Sequence, residues 1–314
     1  MSARTHLVVG AGPIGSAVVR RLVAGGDSVR LVTRSGSGPD LPGVERVAAD
    51  AGDAARLTGL ASGAAAVYNC ANPAYHRWVT DWPPIATALL AAAEASGAVL
   101  VTCSNLYGYG PVQGPMTEDM PLAAQFTKGR VRAQMWQDAL AAHQAGRVRV
   151  TEARGSDYVG PGADGHLGDR TIPKLLAGKK VSVMPSADSL HTWTYTEDMA
   201  ATLGALGTDE RASGRAWHVP SALTASQRDL LGRLAVLASA PAPRIATYSP
   251  LLLKALGVVS PMIRELPEVA YQLEHDFVLD SSAAQRELGL VPTPVDDVLA
   301  AILTPYVAAA KHAA

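Results

Sequence analysis

The amino-acid sequence predicts an α/β fold in which helices cover both faces of a doubly wound parallel sheet. In the first half of the chain, short apolar runs alternate with longer stretches of helical periodicity, which is the pattern of strands joined by helices. Such connections are right-handed and place successive strands parallel to one another. A glycine-rich turn at residues 10–15, directly after the first apolar run, is typical of the first connection in such a sheet.

The pattern of apolar and helical segments changes after Gly155, which predicts a second structural part. Proline and glycine become denser there, and the apolar and periodic segments become shorter. Residues 1–155 are therefore expected to form the sheet domain, and residues 156–314 a smaller C-terminal α/β lobe that binds the substrate. Segments near residues 190–219 are expected to return to the sheet of the first domain.

The expected strands of the first half are short apolar runs rich in valine, leucine and alanine. They lie at residues 7–9, 29–33, 44–48, 66–70, 99–103 and 149–153. The expected helices lie at residues 15–24, 84–96 and 126–145. The second begins with a proline in its first turn, where a missing N–H has no cost, and Gly146 ends the third.

The expected elements of the second half are fewer and shorter. Helices are predicted near residues 171–177, 196–206, 225–239, 281–288 and 295–310, and strands at 181–184 and 217–219.

Composition and charge exclude several classes of function. The chain has 27 Lys and Arg against 28 Asp and Glu, so it lacks the basic excess that nucleic acids or anionic membranes attract. Its two cysteines form no CxxC spacing, and no HExxH occurs, so no metal site is expected. Charged or glycine residues interrupt every long apolar stretch, so no membrane span is expected. A reduced, cytoplasmic protein is the prediction.

The strongest functional motif is Gly10-x-Gly12-x-x-Gly15, which follows a strand and opens a helix. The first glycine allows a tight turn, the second lets the backbone approach a pyrophosphate, and the third lets the helix pack closely on the strand. Pro13 and Ile14 complete the turn, and the helix N-terminus presents N–H groups to the phosphates. The motif predicts a dinucleotide site.

The end of the second strand indicates which dinucleotide binds. A carboxylate there would hold the ribose 2′-hydroxyl of NAD(H), but none occurs before Asp40. Arg34 and Ser35 stand in its place, and a guanidinium with a hydroxyl suits a 2′-phosphate. NADP(H) is therefore predicted in preference to NAD(H).

The ends of the third, fourth and fifth strands supply further expected cofactor contacts. Asp50 is placed to accept a hydrogen bond from the adenine amino group, with Ala51 contributing backbone, whereas Asp53 is a candidate cap for the next helix. The fourth strand is expected to pass beneath the pyrophosphate and ribose. The expected contacts from the end of the fourth strand are Cys70, Ala71 and Asn72, and the expected contact from the end of the fifth strand is Cys103. Both cysteines are interpreted as small buried residues, with a redox pair as the alternative.

The motifs GAGPIG, AADAGD, CSNLYGYGP, ARGSDYVGPG and LHTWTYTEDMA occur in an order that resembles the extended short-chain dehydrogenase/reductases, in the NAD(P)-dependent epimerase/dehydratase group. The resemblance covers nearly the whole chain. It implies a Rossmann sheet, a C-terminal substrate lobe, hydride chemistry on a hydroxyl or carbonyl, and a homodimer formed through the helix at residues 126–145.

The resemblance also implies a catalytic centre with a Ser or Thr at the end of the fifth strand and a Tyr-x-x-x-Lys pair on the next helix. In this chain the Tyr position is assigned to Phe126 and the Lys position to Arg130, which could still hold the nicotinamide ribose. Phenylalanine has no proton to give. The Ser position falls on Cys103 or Ser104, depending on the count from Tyr107. Ser156, after the sixth strand, is a further expected cofactor contact.

Another group must therefore carry the proton if the chain is an enzyme. Tyr158 is the first substitute, because it follows the sixth strand beside the expected nicotinamide, and His166 is a second. Tyr107 belongs to the YG motif, which is usually structural in this family.

Three functions are compatible with these residues. The first is an NADP(H)-dependent oxidoreductase with an atypical proton donor, acting on a small organic carbonyl or hydroxyl compound through Ser104, Arg130 and Tyr158. The second is a binding protein that senses NADP(H) without catalysis, as the Phe126 and Arg130 replacements suggest. The third, an epimerase or dehydratase of nucleotide sugars, is disfavoured by Arg34 and by the absent Tyr.

Overall fold

A computed structural model of the protein describes residues 3–163, 167–249, 258 and 260–313. The strands of the described residues are β1 (Thr5–Val9), β2 (Ser28–Thr33), β3 (Val44–Ala48), β4 (Ala64–Asn69), β5 (Val99–Asn105), β6 (Val150–Gly155), β7 (Asp157–Val159), β8 (Lys180–Val183), β9 (His191–Tyr195), β10 (Ala216–His218), β11 (Leu223–Ala225) and β12 (Arg244–Thr247). The helices are α1 (Pro13–Ala24), α2 (Ala54–Ala61), α3 (Trp78–Ser96), α4 (Thr127–Gln144), α5 (Ile172–Leu176), α6 (Thr196–Leu206), α7 (Gln227–Leu237), α8 (Pro261–Glu265), α9 (Tyr271–Glu274), α10 (Ser282–Leu288) and α11 (Val295–Ala313).

Seven parallel strands form the central sheet in the order β3-β2-β1-β4-β5-β6-β10. This arrangement confirms the predicted Rossmann-like α/β fold. The chain proceeds outward from β1 to β3, then returns to place β4 on the other side of β1. Because the strand order reverses between β1 and β4, loops diverge there and leave a crevice at the carboxyl ends of the strands.

Helices cover both faces of this sheet, and the period of two along each strand divides the core. On β1, Val8 packs in the cluster that α1 and α6 complete, through residues such as Val18 and Met199. Leu7 and Val9 point to the opposite face, where α2, α3 and α4 close a second cluster. Strands β1, β4, β5 and β6 are buried on both sides, which explains their continuous apolar runs, whereas the edge strand β3 is largely exposed.

The chain after β6 builds a smaller body from two short sheets. One has the order β11-β9-β7, and the other pairs β8 with β12 in parallel. Helices α5, α7 and α11 contribute to the apolar cluster that covers them, which includes Ile172, Trp193 and Leu230. Strand β10 leaves this body and pairs with β6, so it becomes the seventh strand of the central sheet.

The start of α3 differs from the sequence prediction. The helix begins at Trp78, and Pro83 and Pro84 lie inside it, although the sequence predicted a start at residue 84. Trp78 and Trp82, one turn apart, are both buried and make edge contact at 6.1 Å between ring centroids. Packing of the two indoles outweighs the unfavourable helix propensity of the prolines. The short strands β7, β9, β11 and β12 were not predicted either, and β9 belongs to a small sheet of its own rather than to the central sheet.

A buried polar network closes the edge of the sheet. Arg154 on β6 donates from Nε to Glu152 Oε1 and from Nη1 to the hydroxyl of Tyr109, each at 2.7 Å. The Tyr109 hydroxyl lies 2.7 Å from Nε2 of His218, and Nδ1 of His218 lies 2.8 Å from the backbone oxygen of Asp280. These neighbours assign Nδ1 as the donor and Nε2 as the acceptor. The imidazole is therefore held in its neutral form.

The free energy of unfolding is expected to depend on the protonation of His218. Burial lowers its pKa, so the unfolded chain binds a proton more readily and stability should fall as the pH drops below about 6.5. His218→Gln cannot titrate and should lose part of this slope in urea denaturation between about pH 8 and pH 5. Burial also lowers the pKa of His6, which leaves a residual slope. An unchanged slope in the variant would contradict the assignment.

Candidate active site

The candidate site lies at the carboxyl ends of β1, β2, β4, β5 and β6, around the point where the strand order reverses. Open parallel sheets bind their ligands at this position, because the loops that leave neighbouring strands diverge. The glycine-rich turn follows β1, a short helical turn at Tyr75–Arg77 follows β4, and another at Tyr107–Tyr109 follows β5. Helix α4 and the segment at residues 260–274 flank these loops.

The three motif glycines have different structural roles. Gly10 has a φ of +104°, and a Cβ on it would lie 2.3 Å from the backbone oxygen of Cys70. A Cβ on Gly15 would lie 2.0 Å from the backbone oxygen of Gly10. Gly12 differs, because no atom lies within 4 Å of its Cβ position. Gly10 and Gly15 are therefore needed for packing, and Gly12 keeps a space open.

This open space faces the N-terminus of α1, a helix of 12 residues. Its first turn begins at Pro13, its cap residue Gly12 forms no side-chain cap, and it contains no acidic residue. The first N–H groups of a helix lack partners within the helix, and the helix dipole favours an anion near them. The turn therefore fits a pyrophosphate.

Arg34 and Ser35 lie exposed in the loop after β2. Hydrogen bonds shape this loop, from Thr33 Oγ1 to the backbone oxygen of Ser37 and between the hydroxyls of Ser35 and Ser37, each at 2.9 Å. A Cβ on Gly38 would lie 3.1 Å from the Cβ of Ala11. The loop with the cationic side chain therefore lies against the glycine-rich turn.

The segment after β3 contains two aspartates with different partners. Asp53 accepts a hydrogen bond from the N–H of Arg56 at 2.9 Å and so caps α2, as the sequence suggested. Asp50 accepts from the N–H of Gly52 at 2.8 Å through Oδ1. Asp50 and the partly exposed Ala51 thus stand at the end of β3, and contact with an adenine stays a prediction.

Both cysteines are free thiols next to the crevice. The N–H of Cys70 donates to the oxygen of Val9 at 2.8 Å, which places Cys70 beneath the glycine-rich turn, with Ala71 and Asn72 following it. Burial raises the pKa of Cys70 well above its ordinary value and that of Cys103 to about 11. The thiols therefore stay protonated, which agrees with their interpretation as small packing residues.

The register of α4 differs from the sequence assignment. Phe126 precedes the helix and packs against Tyr271, with 5.2 Å between ring centroids. Arg130 is exposed, and its Nη1 donates to the backbone oxygen of Gln125. The buried i, i+4 pair is Lys128 and Arg132, at 2% and 8% exposure. A shift of two residues turns a side chain by about 200° around the helix, so Arg130 does not point toward the crevice.

Lys128 joins α4 to the C-terminal segment. Its ammonium donates to Glu265 Oε2 and, at 2.9 Å, to Glu268 Oε2. The backbone N–H of Lys128 donates to Glu268 Oε1 at 2.7 Å, so a residue distant in sequence caps the helix that Phe126 leaves uncapped. Nζ also lies 4.7 Å from the centroid of the Tyr75 ring. The first turn of α4 is therefore held by the segment that faces it.

Arg132 is a buried guanidinium without hydrogen-bond partners at two of its nitrogens, Nε and Nη1. Its Cζ lies 4.6 Å from the ring centroid of Trp78 and 4.3 Å from that of Trp82. Burial lowers its pKa, while Cys103 and Glu152 are among the groups whose charged forms would raise it. Unpaired buried donors are costly, so this guanidinium is suited to a ligand that brings acceptor oxygens.

Tyr158 and Ser104 contact each other. The Tyr158 hydroxyl donates to the backbone oxygen of Ser104 at 2.6 Å and lies 4.0 Å from Sγ of Cys103. Burial raises the pKa of Tyr158 well above 10.0. The only proton of this phenol is already donated to a carbonyl, so Tyr158 is less suited to proton transfer than the sequence suggested.

Ser156 lies on the side of the small sheet. Its hydroxyl lies 3.2 Å from Nε2 of His191, and its N–H donates to Thr194 Oγ1 at 2.9 Å. The residue is 5% exposed, so its polar groups serve the protein interior. The other sequence candidate, His166, lies outside the described residues.

The sequence analysis missed three residues that converge on the crevice beside Lys128, namely Tyr75, Arg132 and Gln272. The Tyr75 hydroxyl donates to the hydroxyl of Tyr107 at 3.2 Å, and Nε2 of the buried Gln272 donates to the backbone oxygen of Val269 at 3.2 Å. One signal was available for α4. Small or aromatic residues at 129, 133 and 136 mark the face that packs on the protein, and 128 and 132 adjoin that face.

Two negative findings apply to the described part of the chain. No group of three or more His, Cys, Asp or Glu side chains there is arranged to hold a metal ion. Within the same residues, no helix is both long and apolar enough to span a membrane.

Comparison with solved structures shows similar folds. DesIV, a dTDP-glucose 4,6-dehydratase from Streptomyces venezuelae solved with NAD, aligns with a TM-score of 0.76 at 22% identity over 96% of each chain. An epimerase from Methanothermobacter thermautotrophicus aligns with a TM-score of 0.79 at 18% identity, covering 96% of this chain and 91% of the other. A UDP-glucose 4-epimerase from Thermotoga maritima, solved with UDP-glucose, aligns with a TM-score of 0.77 at 16% identity over 97% and 99% of the two chains.

Sequence comparison identifies the family. Among curated proteins none matches the chain. The sequence model of the NAD dependent epimerase/dehydratase family matches residues 6–219, which is more than half of the chain and includes the glycine-rich turn, α4 and β10. The chain therefore belongs to the NAD dependent epimerase/dehydratase family.

Proposed function

We propose that the protein is an NADP(H)-dependent oxidoreductase that acts on a small organic carbonyl or hydroxyl compound. The observation that carries the proposal is the open space beside Gly12, which the close packing of Gly10 and Gly15 preserves at the start of α1. A nicotinamide dinucleotide would supply or accept a hydride when bound there. The substrate would occupy the crevice between the ends of β4, β5 and β6 and the C-terminal segment.

The cofactor contacts proposed for this chain follow its geometry. The turn at residues 10–15 holds the pyrophosphate, Asp50 and Ala51 face the adenine, and residues 70–72 and Cys103 lie beneath the ribose and nicotinamide. Arg132 replaces Arg130 as the cation that holds the nicotinamide ribose, because its unpaired nitrogens are buried at the crevice while Arg130 is exposed on another face. This assignment gives the guanidinium the acceptor oxygens that it lacks.

The preference for NADP(H) is a separate proposal. The dehydratase DesIV was solved with NAD, as was a protein called MoeE5, so the fold itself does not select a 2′-phosphate. Support comes from Arg34 and Ser35, which are exposed beside the glycine-rich turn where an NAD site places a carboxylate.

NADPH is expected to bind at least about tenfold more tightly than NADH, a difference of about 1.4 kcal/mol. Arg34→Ala should remove this preference by weakening NADPH alone, and Arg233→Ala, an exposed arginine on α7, serves as the matched control. Titration of nicotinamide fluorescence measures both constants. Equal affinities in the wild type would reject the NADP(H) assignment, and absence of binding to either dinucleotide would reject the proposed function.

A second candidate function is a regulator that binds NADP(H) without catalysis. The inward face of α4 carries no phenol, Lys128 is held by two carboxylates, and Tyr158 donates its proton to a backbone oxygen. Oxidation of NADPH that depends on an added carbonyl compound would exclude this candidate. Nucleotide-sugar epimerisation or dehydration is a weaker candidate, because the proposed NADP(H) site and the missing α4 phenol both disfavour it.

Two further proposals concern the oligomeric state of the protein and its location in the cell. We propose a homodimer formed through α4, supported by a groove of about 530 Å³ between α3 and α4 whose lining includes Val79, Leu90, Val131 and Met135. Val79 is 54% exposed, and a second copy of the chain would cover it. A cytoplasmic location is proposed because both cysteines are free thiols.

A further inference from the structure

The proposed reaction needs a group that exchanges a proton with the substrate oxygen, and α4 does not supply a phenol. Four tyrosines lie around the crevice, namely Tyr75, Tyr107, Tyr158 and Tyr271. Their hydroxyls differ in what they already contact. These contacts decide which hydroxyl can release a proton and leave a stabilised oxygen behind.

We propose that Tyr107 is the proton-transferring residue, that Tyr75 positions its hydroxyl oxygen, and that the charge of Arg132 stabilises the phenolate. The proposal rests on the oxidoreductase function proposed above. It gives Tyr107 a chemical role in addition to the structural one expected for the YG motif. It also moves the phenol of the site from α4 to the short helical turn that follows β5.

The position of Tyr107 fits this role. It follows the end of β5, and its ring lies 5.9 Å from that of Trp78, between centroids. Its backbone oxygen would lie 2.6 Å from a Cβ on Gly129, so the absence of a side chain there brings α4 against the turn. Tyr107 therefore occupies the space next to the α4 face on which the family places its phenol.

The hydrogen bonds favour Tyr107 over its neighbours. The Tyr75 hydroxyl donates to the Tyr107 oxygen at 3.2 Å. This bond favours the ionised form of Tyr107, as oxyanion donors do. Tyr158, in contrast, would set a phenolate oxygen against the carbonyl oxygen of Ser104 after losing its proton. The Tyr271 hydroxyl is buried without a partner.

The charges around Tyr107 act in both directions. Burial is the largest effect and raises the pKa of Tyr107 to about 12, and the carboxylate of Asp157 adds to the rise. The hydrogen bond from Tyr75 and the charge of Arg132 lower it. Burial also raises the pKa values of Tyr75, Tyr158 and Tyr271. Tyr107 thus remains a phenol at neutral pH and acts as an acid toward a developing alkoxide.

Reduction of a carbonyl substrate requires one hydride and one proton. The substrate carbonyl carbon gains a hydride from the reduced dinucleotide, and the electron pair of the C=O π bond moves to the oxygen. The O–H bond of Tyr107 breaks, its proton forms the O–H bond of the alcohol, and the phenolate keeps the electron pair. The hydrogen bond from Tyr75 and the charge of Arg132 stabilise that phenolate until a solvent proton restores the phenol. Oxidation of an alcohol follows the reverse path.

Fluorine NMR of the protein labelled with 3-fluorotyrosine tests this assignment without cofactor or substrate. The chain has nine tyrosines, and single Tyr→Phe variants assign their signals. Among the four crevice phenols, we expect Tyr107 to ionise at the lowest pH. Tyr75→Phe and Arg132→Met should each raise its midpoint by up to about 1 pH unit, and Arg132→Lys should restore it. Tyr271→Phe is the control and should leave the midpoint unchanged.

Ionisation of any other crevice phenol before Tyr107, or a midpoint insensitive to Arg132→Met, would overturn the proposal. Carbonyl reduction gives the second readout. Tyr107→Phe should lower kcat by about 100-fold while the Kd for NADPH changes less than about twofold. A variant that retains the wild-type kcat would also overturn it. If the wild-type protein does not bind NADPH, the proposed function is rejected instead. The order in which the four phenols ionise can still be measured in that case.

Discussion

Gly12→Val is expected to abolish dinucleotide binding while leaving the protein folded. The valine side chain would fill the open space beside the N-terminus of α1, where no atom lies within 4 Å of the Cβ position. Because Gly12 has a φ of −64°, a side chain there meets no backbone strain, and the loss of a favourable cap residue costs about 1 kcal/mol or less. The Kd for NADPH should rise at least about 100-fold, which corresponds to about 2.7 kcal/mol.

Two further glycine variants separate binding from folding. Gly15→Val places a Cβ 2.0 Å from the oxygen of Gly10, so it should lower the free energy of unfolding by about 3 kcal/mol or more. Gly59→Ala lies in α2 with open space around it and should change neither property by more than about 1 kcal/mol. Calorimetric titration and urea denaturation measure the three variants. Retained NADPH affinity in a folded Gly12→Val protein would refute the proposed cofactor site.

The proposed cofactor half of the site could be located from the sequence because its structural requirements are local. Gly10 needs a positive φ, Gly15 needs contact with its own turn, and Asp53 caps the helix that it precedes. Each of these depends on residues within a few positions or on one neighbouring strand. The strand order and the two helical layers follow similarly from the alternation of apolar runs and helices.

The proposed catalytic half could not be located in the same way, because its arrangement depends on the rotation of a helix and on contacts between distant segments. The family pattern assigned Phe126 and Arg130, but the face of α4 that packs on the protein carries Lys128 and Arg132. Glu268 caps that helix from 140 residues away, and no local sequence pattern predicts such a partner. Tyr75 lies in a short helical turn directly before α3, which begins earlier than its prolines suggested.

Arginine residues in three environments provide the most discriminating test of the α4 register. Arg132 is buried with two unpaired nitrogens, Arg130 is exposed, and Arg154 is buried with hydrogen bonds to Glu152 and Tyr109. Removing a buried group that has hydrogen-bond partners leaves those partners buried and unpaired. Removing a group without partners has no such cost. The three arginines should therefore respond differently to the same change to methionine.

Arg132→Met is expected to preserve or increase the stability of the protein without cofactor while removing most of the stabilisation that NADPH provides. Loss of two unpaired buried donors gains about 1–3 kcal/mol, which offsets the lost cation–π contacts with Trp78 and Trp82. At 100 times its Kd, NADPH should stabilise the wild type by about 2.7 kcal/mol, and the variant by much less. Arg154→Met should lower the free energy of unfolding by about 3 kcal/mol, because it leaves Glu152 buried without its partner.

Arg130→Met supplies the decisive comparison in urea denaturation with and without NADPH. An exposed side chain whose only hydrogen bond among the described contacts goes to a neighbouring backbone oxygen should change neither stability nor the response to NADPH by more than about 0.5 kcal/mol. If Arg130→Met loses the response and Arg132→Met keeps it, the sequence-based assignment is right and the inward pair proposed here is wrong. If both keep it, the cation that holds the ribose lies elsewhere. Loss confined to Arg132→Met would establish that the unpaired guanidinium is maintained for the ligand, since its burial otherwise destabilises the fold.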